Sequence, residues 1–396
     1  MVKKVFWMNA LNEIIKEKIQ ESGRITFAEF MNLALYHPEY GYYSSEKIKL
    51  GKKGDYYTSP LVHKIFGELL CKQIAEMWNM SGAGDFTIVE MGAGDGTLCC
   101  DILNYAKETY PAFYKALQYI IIEESRGMRD LQKENLRAIA ECGMRNAEFN
   151  SDKLLWLDYS DPLFKSGING CFISNELVDA FPVHIVEKRG GELKEVFVDL
   201  HDNTFVEVFD SSSTPEIEKY FNRLGIELED GQRAEVNLKA IEWMRWVAKR
   251  LKIGFVITID YGYPAEELYA PHRMGGTLLC YHRHRIAEDP FINIGEQDIT
   301  AHVDFTTLMM IGEEEGLKIA GITDQMHFLF GLGIGERIEA IGLNVNTETE
   351  ALKERLMIKN LIMPGRMGNI FKILIQYKEF EGIPSLSGLK KDPFTF

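Results

Sequence analysis

The sequence carries no C-x-x-C pair and no zinc-type spacing among its six cysteines, Cys71, Cys99, Cys100, Cys142, Cys171 and Cys280. In a chain this long they read as reduced thiols of a cytosolic protein, which excludes a disulfide framework. No apolar run approaches the roughly 18 residues of a membrane-spanning helix. The opening MVKKVFWMNALNEIIKEKIQESG lacks the apolar core of a secretory signal, and Glu13, Glu17 and Glu21 argue against an Arg-rich transit peptide, so a cytoplasmic protein is expected. Basic charge is scarce too. Against 59 Asp and Glu stand 44 Lys and Arg, a formal charge of −15, which disfavours nucleic acid as a partner and is compatible with a cationic substrate. There is no internal repeat and no low-complexity tract. What remains is 396 residues with 46% hydrophobic content, enough for one large domain with insertions or for several smaller ones.

The apolar pattern is that of alternating strands and helices. Strand candidates fall at 86–90, 119–123, 153–157, 171–174, 254–260, 317–323 and 370–376, with helical spacing over 97–108, 125–141, 235–250, 304–315 and 348–360. This alternation predicts a parallel, doubly wound sheet covered on both faces. Upstream, Leu11, Ile14, Ile15 and Ile19 share one helix face, and Thr26 to Glu29 form a capping box. Ser59 and Pro60 then open one long amphipathic helix through Trp78. Two stretches break the rhythm. Residues 183 to 210 alternate with period 2 around Gly190-Gly191 and Asp202-Asn203, an antiparallel meander, and 261 to 303 read as a long functional loop region.

The stretch Ile88 to Thr97, IVEMGAGDGT, is a strand, a glycine turn and the start of a helix. A dinucleotide fingerprint needs a third glycine where Thr97 stands, and no lysine follows to make a P-loop. Glu90, two residues before Gly92, is awkward beside a pyrophosphate and suits a neutral or cationic ligand. The glycines let backbone approach an adenosine-type ligand, and Glu123 closes the next strand where a ribose diol would be accepted. E-x-G-x-G-x-G followed by that acid resembles motifs I and II of the class I S-adenosylmethionine-dependent methyltransferases. Gly92, Ala93, Gly94 and Gly96, with Glu90 and Glu123, are then the cofactor-binding candidates.

Further segments narrow the resemblance: GDYYTSPLVHKIFGE (54–68), SNELVDAFPV (174–183), TIDYGYP (258–264), GGTLLCYHRH (275–284), GEQDITAHVDF (295–305) and MPGRMGNIFKIL (363–374). Together, from about Ile25 to about Gln376, they resemble the MidA-like family, whose mitochondrial members are respiratory complex I assembly methyltransferases. The resemblance implies an α/β, Rossmann-like fold with a seven-stranded, mostly parallel sheet and helices on both faces. It also implies S-adenosyl-L-methionine as donor, S-adenosyl-L-homocysteine as product, and a protein substrate. In the mitochondrial branch that substrate is a complex I subunit methylated on arginine. Two departures stand out: no transit peptide, and Tyr281 at the aromatic position before the family's histidine, which makes His284 and not His282 the aligned one. The expected division is an N-terminal helical region with a cofactor-covering loop (1–80), a core (81–182 and 235–378), an inserted antiparallel subdomain (183–234) and a tail (379–396).

Asn175, Glu176 and Asp179 follow the fourth core strand, at the edge where a methyl acceptor approaches. For an arginine acceptor, Glu176 is the candidate guanidinium clamp, with Asp179 or Asp260 as a second carboxylate; the alternative is that these acids cap a following helix. Thr58 and Ser59 are loop donors for the cofactor's carboxylate or, for Ser59, an ordinary N-cap. His282, His284, Asp298, His302 and Asp304 invite a metal reading, but Asp304 is placed to cap the helix after it, so no metal is assigned and His284 is given a substrate-side role. YHPEYGYY (36–43) either packs under the active site or binds a protein, and Trp243 and Trp246 read as packing. The competing function is a cofactor-binding assembly factor that grips a client through the insertion with little turnover.

Overall fold

The computed structural model describes residues 2–44, 59–141, 153–283, 285–344 and 348–390, apart from the side chains of 2–9, 137–141 and 342–344. Seven strands make the central sheet: β1 (Phe86–Met91), β2 (Leu117–Ile122), β3 (Leu154–Leu157), β4 (Ile168–Asn175), β5 (Leu251–Tyr263), β6 (Lys318–Asp324) and β7 (Phe371–Lys378). Their order is β6-β7-β5-β4-β1-β2-β3. β7 runs antiparallel to both neighbours, and the other pairings are parallel. This is the seven-stranded, mostly parallel sheet expected, with a two-residue strand, Val303–Asp304, added beside β5. Parallel strands are covered on both faces, and accordingly Ile88, Val89, Ile120 and Ile121 are fully buried in β1 and β2.

Helices Ile65–Met80 and Thr97–Thr109 cover one face, where Phe66, Leu70 and Ile102 pack with Ile88 and Ile121. Leu238–Arg250 and Phe305–Glu314 cover the other, packing Trp243, Met244 and Leu308 on Val89 and Ile120. Between β1 and β4 the strand order reverses, with β1 leading to one wing and β4 beginning the other. A crevice opens beyond the carboxyl ends of two such strands, and ligands of open α/β sheets bind there.

The insertion is a meander of His184–Arg189, Glu192–His201 and Thr204–Asp210. Its two tight turns need left-handed backbone, and Gly190, Gly191, Asp202 and Asn203 all have positive φ. Two more strands complete this sheet: Ile25–Thr26 from the N-terminal region and Arg233–Val236. A third core joins Leu11, Ile15 and Phe30 of the N-terminal helices to Val196 and Val198 of the insertion and Ile299 beyond it.

Local structure departs from expectation in three places. The helix foreseen from Ser59 is a single turn, Ser59–Val62, followed by Ile65–Met80. His63 interrupts it because its Nδ1 accepts the N–H of Ile65 (3.1 Å). Helix Ile65–Met80 packs its apolar face into the sheet's core and not with the N-terminal helices. Residues 235 and 236 pair as a strand with Ile185 and His184, so the next helix begins at Leu238 with Asn237 as its cap. The 261–303 region is more regular than a loop: Leu279–His282 pairs with Arg285–Ala287 and with Asp298–Thr300. Thr26 and Asp304 cap their helices as the sequence predicts, accepting from Glu29 N and Thr306 N.

Candidate active site

A cavity of about 940 Å³ opens at the carboxyl ends of the central strands. Glu90, Gly92, Ala93, Gly94, Glu123, Asn175 and Glu176 line it. Of the other candidates, Gly96, Asp179 and Asp260 stand behind its wall, and Thr58 and His284 lie outside the described residues.

One side of the cavity is the glycine turn. Gly92 has φ +70°, and a Cβ there would sit 2.7 Å from Leu177 Cδ1, itself part of the cavity wall. Gly94 (φ +55°) also faces the cavity. Gly96 does different work from that expected: it is the left-handed residue (φ +85°) from which helix Thr97–Thr109 starts, packed toward Leu136. Glu90 is buried, and its carboxylate accepts from the Tyr119 hydroxyl (2.8 Å). Burial pushes its pKa up to about 7 despite that bond. Glu123 is likewise pushed up to about 7 by burial, against the bonds it accepts from Ser125 N (3.0 Å) and Gln132 Nε2 (3.2 Å). The same Gln132 amide donates to Gly94 O (2.9 Å), tying the glycine turn to Glu123. Nothing in the sequence pattern singled out Gln132, which sits inside an ordinary amphipathic helix.

The other side centres on Glu176. This residue has φ +53°, a left-handed backbone outside glycine's territory. Such a conformation costs on the order of 1–3 kcal/mol and persists where surroundings enforce it. Its N–H donates to Ile259 O (2.9 Å). The Asp260 carboxylate takes the next free N–H groups: Oδ2 accepts from Val178 N (3.0 Å) and Asp179 N (3.3 Å), while Oδ1 accepts from Tyr261 N (2.9 Å). A hydrogen bond contributes about 0.5–1.5 kcal/mol net, so the two that Asp260 accepts from the loop are together of the same order as the strain. Glu176 Oε1 in turn accepts from Ser59 N (3.4 Å) and Asn175 Nδ2 (3.2 Å). Asn175 Oδ1 is buried with no partner among the described residues. Burial first, and Asp179 second, hold the Glu176 carboxyl well above its usual range.

No helix follows β4, so Asp179 and Glu176 are not helix caps. Asp179 is buried, its Oδ1 without a partner among the described residues, and burial pushes its pKa up to about 6 against hydrogen bonds from Tyr261 and backbone N–H groups. Asp260 is fully buried and turned toward backbone, which removes it from the substrate side where the sequence put it. Ser59 offers its N–H to Glu176, but its hydroxyl donates to Gln325 Oε1 (2.8 Å) and caps nothing.

Among the described residues no group of three or more His, Cys, Asp or Glu is placed to hold a metal ion. His282 Nδ1 is bonded to Glu296 O, and Asp304 to Tyr220, Thr306 and Thr307. His302 is held neutral, its pKa lowered to about 4 by burial and then by Arg273.

The tyrosine-rich stretch is the roof: Tyr36, Pro38, Tyr42 and Tyr43 line the cavity. The Tyr36 hydroxyl donates to Ala180 O (2.9 Å), Tyr43's to Asp298 Oδ1 (2.8 Å), and Ser125 Oγ to Tyr43 O (2.9 Å). Trp243 and Trp246 pack in the core as foreseen, yet both also reach the cavity wall.

A model of the family described as "Putative S-adenosyl-L-methionine-dependent methyltransferase" matches residues 69–323. The chain belongs to this methyltransferase family. It is 29% identical to Protein arginine methyltransferase NDUFAF7, mitochondrial, of Mus musculus, over 89% of this chain and 81% of that one. With the Drosophila melanogaster protein of the same name, described as its homolog, identity is 26% over 93% and 85% of the two chains. The crystal structure of a Burkholderia thailandensis protein bound to S-adenosyl-homocysteine superposes with a TM-score of 0.84 at 29% identity, covering 97% and 95% of the two chains. The enzyme is therefore an S-adenosyl-L-methionine-dependent methyltransferase. The cavity fits that cofactor: a space with more than enough room for a nucleoside, a glycine turn that a Cβ would crowd, and two strand-end carboxylates. No described helix is long and apolar enough to cross a membrane.

Proposed function

We propose that this methyltransferase acts on arginine side chains of a protein. The observation that carries the reading is Glu176, a carboxylate presented to the cavity from strained backbone and lacking a cation among the described residues. Around it the lining is acidic: Glu90, Asp95, Glu123, Glu124, Asp130 and Glu242 against Arg126 and Lys239. A planar guanidinium matches a carboxylate through paired N–H donors. The names of the mouse and fly relatives support the same substrate class.

Bound S-adenosyl-L-methionine supplies an electrophilic methyl group. Glu90 and Glu123 would hold it by accepting hydrogen bonds, and the Gly92–Gly94 backbone lets it approach. The roof tyrosines exclude water. Glu176, once a guanidinium lies beside it, is stabilised as the anion. It orients the acceptor nitrogen and is the nearest group to take the proton that leaves when that nitrogen is alkylated.

The test is to incubate wild type and Glu176→Gln with methyl-labelled S-adenosyl-L-methionine and the proteins of the source cell, then hydrolyse and separate the amino acids. Label is expected in methylarginine with wild type and reduced at least ~100-fold in the variant. Label on another residue type overturns the substrate reading, and absence of any label favours an assembly factor. The family resemblance makes a respiratory-complex subunit the first purified acceptor to try.

A further inference from the structure

We infer that Asp260 is the positioning residue of this site: its buried carboxylate clamps the loop after β4 and so fixes Glu176 in the orientation that meets the acceptor. The inference rests on the reading that Glu176 receives the acceptor.

The geometry is specific. β4 and β5 lie parallel with Asn175 opposite Ile259, so the last residue of β4 and the start of the loop face the stretch of β5 that carries Asp260. The chain then turns left-handed at Glu176, and no helix forms to satisfy the N–H groups that follow. Two of these, at Val178 and Asp179, are accepted by a single oxygen of Asp260, and its other oxygen accepts Tyr261 N. All three contacts need an acceptor, which the two carboxyl oxygens supply. Without Asp260 these donors would be buried and unpaired, and the loop would relax out of the left-handed turn.

Asp260 also acts on the charge of Glu176. Among the described residues, the ionisable groups that act on Glu176 are Asp179 on its own loop, Asp260 on β5, and Asp298 and Tyr281 on the small sheet, with Tyr261 and Tyr36 beside Asp179. None is a cation. Carboxylates this close titrate together, so neutralising one eases ionisation of the others. Burial first, then Asp179 and Glu176, hold the Asp260 carboxyl well above its ordinary range as well, so the two carboxyls share one coupled titration, and a neutral residue in place of Asp260 moves the ionisation of Glu176 to lower pH.

Two variants test this with two readouts. Amide exchange of the full chain, without ligand, reports the clamp. Asp260→Ala should speed exchange of Val178 and Asp179 at least ~10-fold, whereas Asp260→Asn, which keeps one acceptor oxygen, should change it less than ~3-fold. In methyl transfer from labelled S-adenosyl-L-methionine to source-cell proteins, Asp260→Ala should lower turnover ~100-fold with S-adenosyl-L-homocysteine affinity within ~2-fold of wild type. Asp260→Asn should recover most of that turnover and shift the acidic limb of the pH–rate profile down by about one unit. The Asn variant keeps the test open if the Ala variant does not fold. Unchanged exchange in Asp260→Ala, or an unshifted acidic limb in Asp260→Asn, overturns the inference. Full activity in Glu176→Gln instead overturns the reading beneath it, whatever Asp260 does.

Discussion

The two sides of the cavity, one proposed above to hold the methyl donor and the other the acceptor, are built by opposite means. The methyl-donor side is local: Glu90, Gly92, Ala93 and Gly94 come from one strand-and-turn, and Glu123 from the end of the strand hydrogen-bonded beside it. The acceptor side is assembled from distant chain. Glu176 depends on Ser59, 117 residues away, and its loop on Asp260, 82 residues from Val178, while the roof is tied down by Tyr36, 144 residues from Ala180. A local motif binds wherever the sheet forms. A site assembled across the chain can change acceptor without touching the donor motif, so damage to one side should leave the other intact.

The sharpest test of that separation is Glu176→Gln. It removes the charge but keeps the size, so turnover should fall about 100- to 1,000-fold, with S-adenosyl-L-homocysteine affinity within ~2-fold by calorimetry. A large loss of cofactor affinity would show that the two sides are one. The converse substitution is Gly92→Ala. Left-handed backbone costs a non-glycine residue roughly 1–2 kcal/mol, and the new Cβ pushes on Leu177. Cofactor affinity should weaken ~10-fold or more; because Leu177 adjoins Glu176, a fall in turnover beyond ~3-fold at saturating cofactor would show that the two sides meet at this contact.

The pH dependence of binding sharpens the donor side alone. Glu90 and Glu123 both have pKa values raised to about 7 in the cavity without ligand. A ligand that donates hydrogen bonds to them prefers the ionised form, so binding is strong above pH 7 and lost as pH falls through it. If one group must ionise, S-adenosyl-L-homocysteine affinity should drop roughly tenfold between pH 8 and pH 6. Glu123→Gln should flatten that slope, and an unchanged slope would assign it to Glu90.

The same contrast decides how much was legible in the sequence. The sheet could be read because parallel strands buried on both faces become apolar runs, and the donor motif because its spacing is a property of one turn. Asp260 was visible as an acid after a strand, but its direction was not, since only the pairing of β4 with β5 places Val178 and Asp179 in front of it. Gln132 was invisible for a similar reason: a buried amide on an amphipathic helix has no periodic signature. The Tyr-rich stretch was conspicuous yet ambiguous, because the pattern of 36–43 fits a roof or a partner surface equally well. Its position over the cavity depends on Ile25–Thr26 joining the inserted sheet, a pairing that two residues cannot announce.

The roof offers the smallest and most discriminating effect. Tyr43 spans three regions, since its hydroxyl donates to Asp298 beyond the insertion, its carbonyl accepts from Ser125 beside Glu123, and the residue lines the cavity. Tyr43→Phe removes only the hydroxyl, and Asp298 Oδ1 still accepts Ile299 N (3.0 Å). The loss should be about 1 kcal/mol, seen as a fall of a few degrees or less in thermal midpoint. If the roof serves the acceptor side, KM for the protein acceptor should rise about 2- to 5-fold while cofactor affinity stays unchanged. A matching loss of cofactor affinity would mean that the roof presses on the donor through Ser125, whose N–H donates to Glu123 (3.0 Å). Then the separation would hold for the walls of the cavity and fail for its cover.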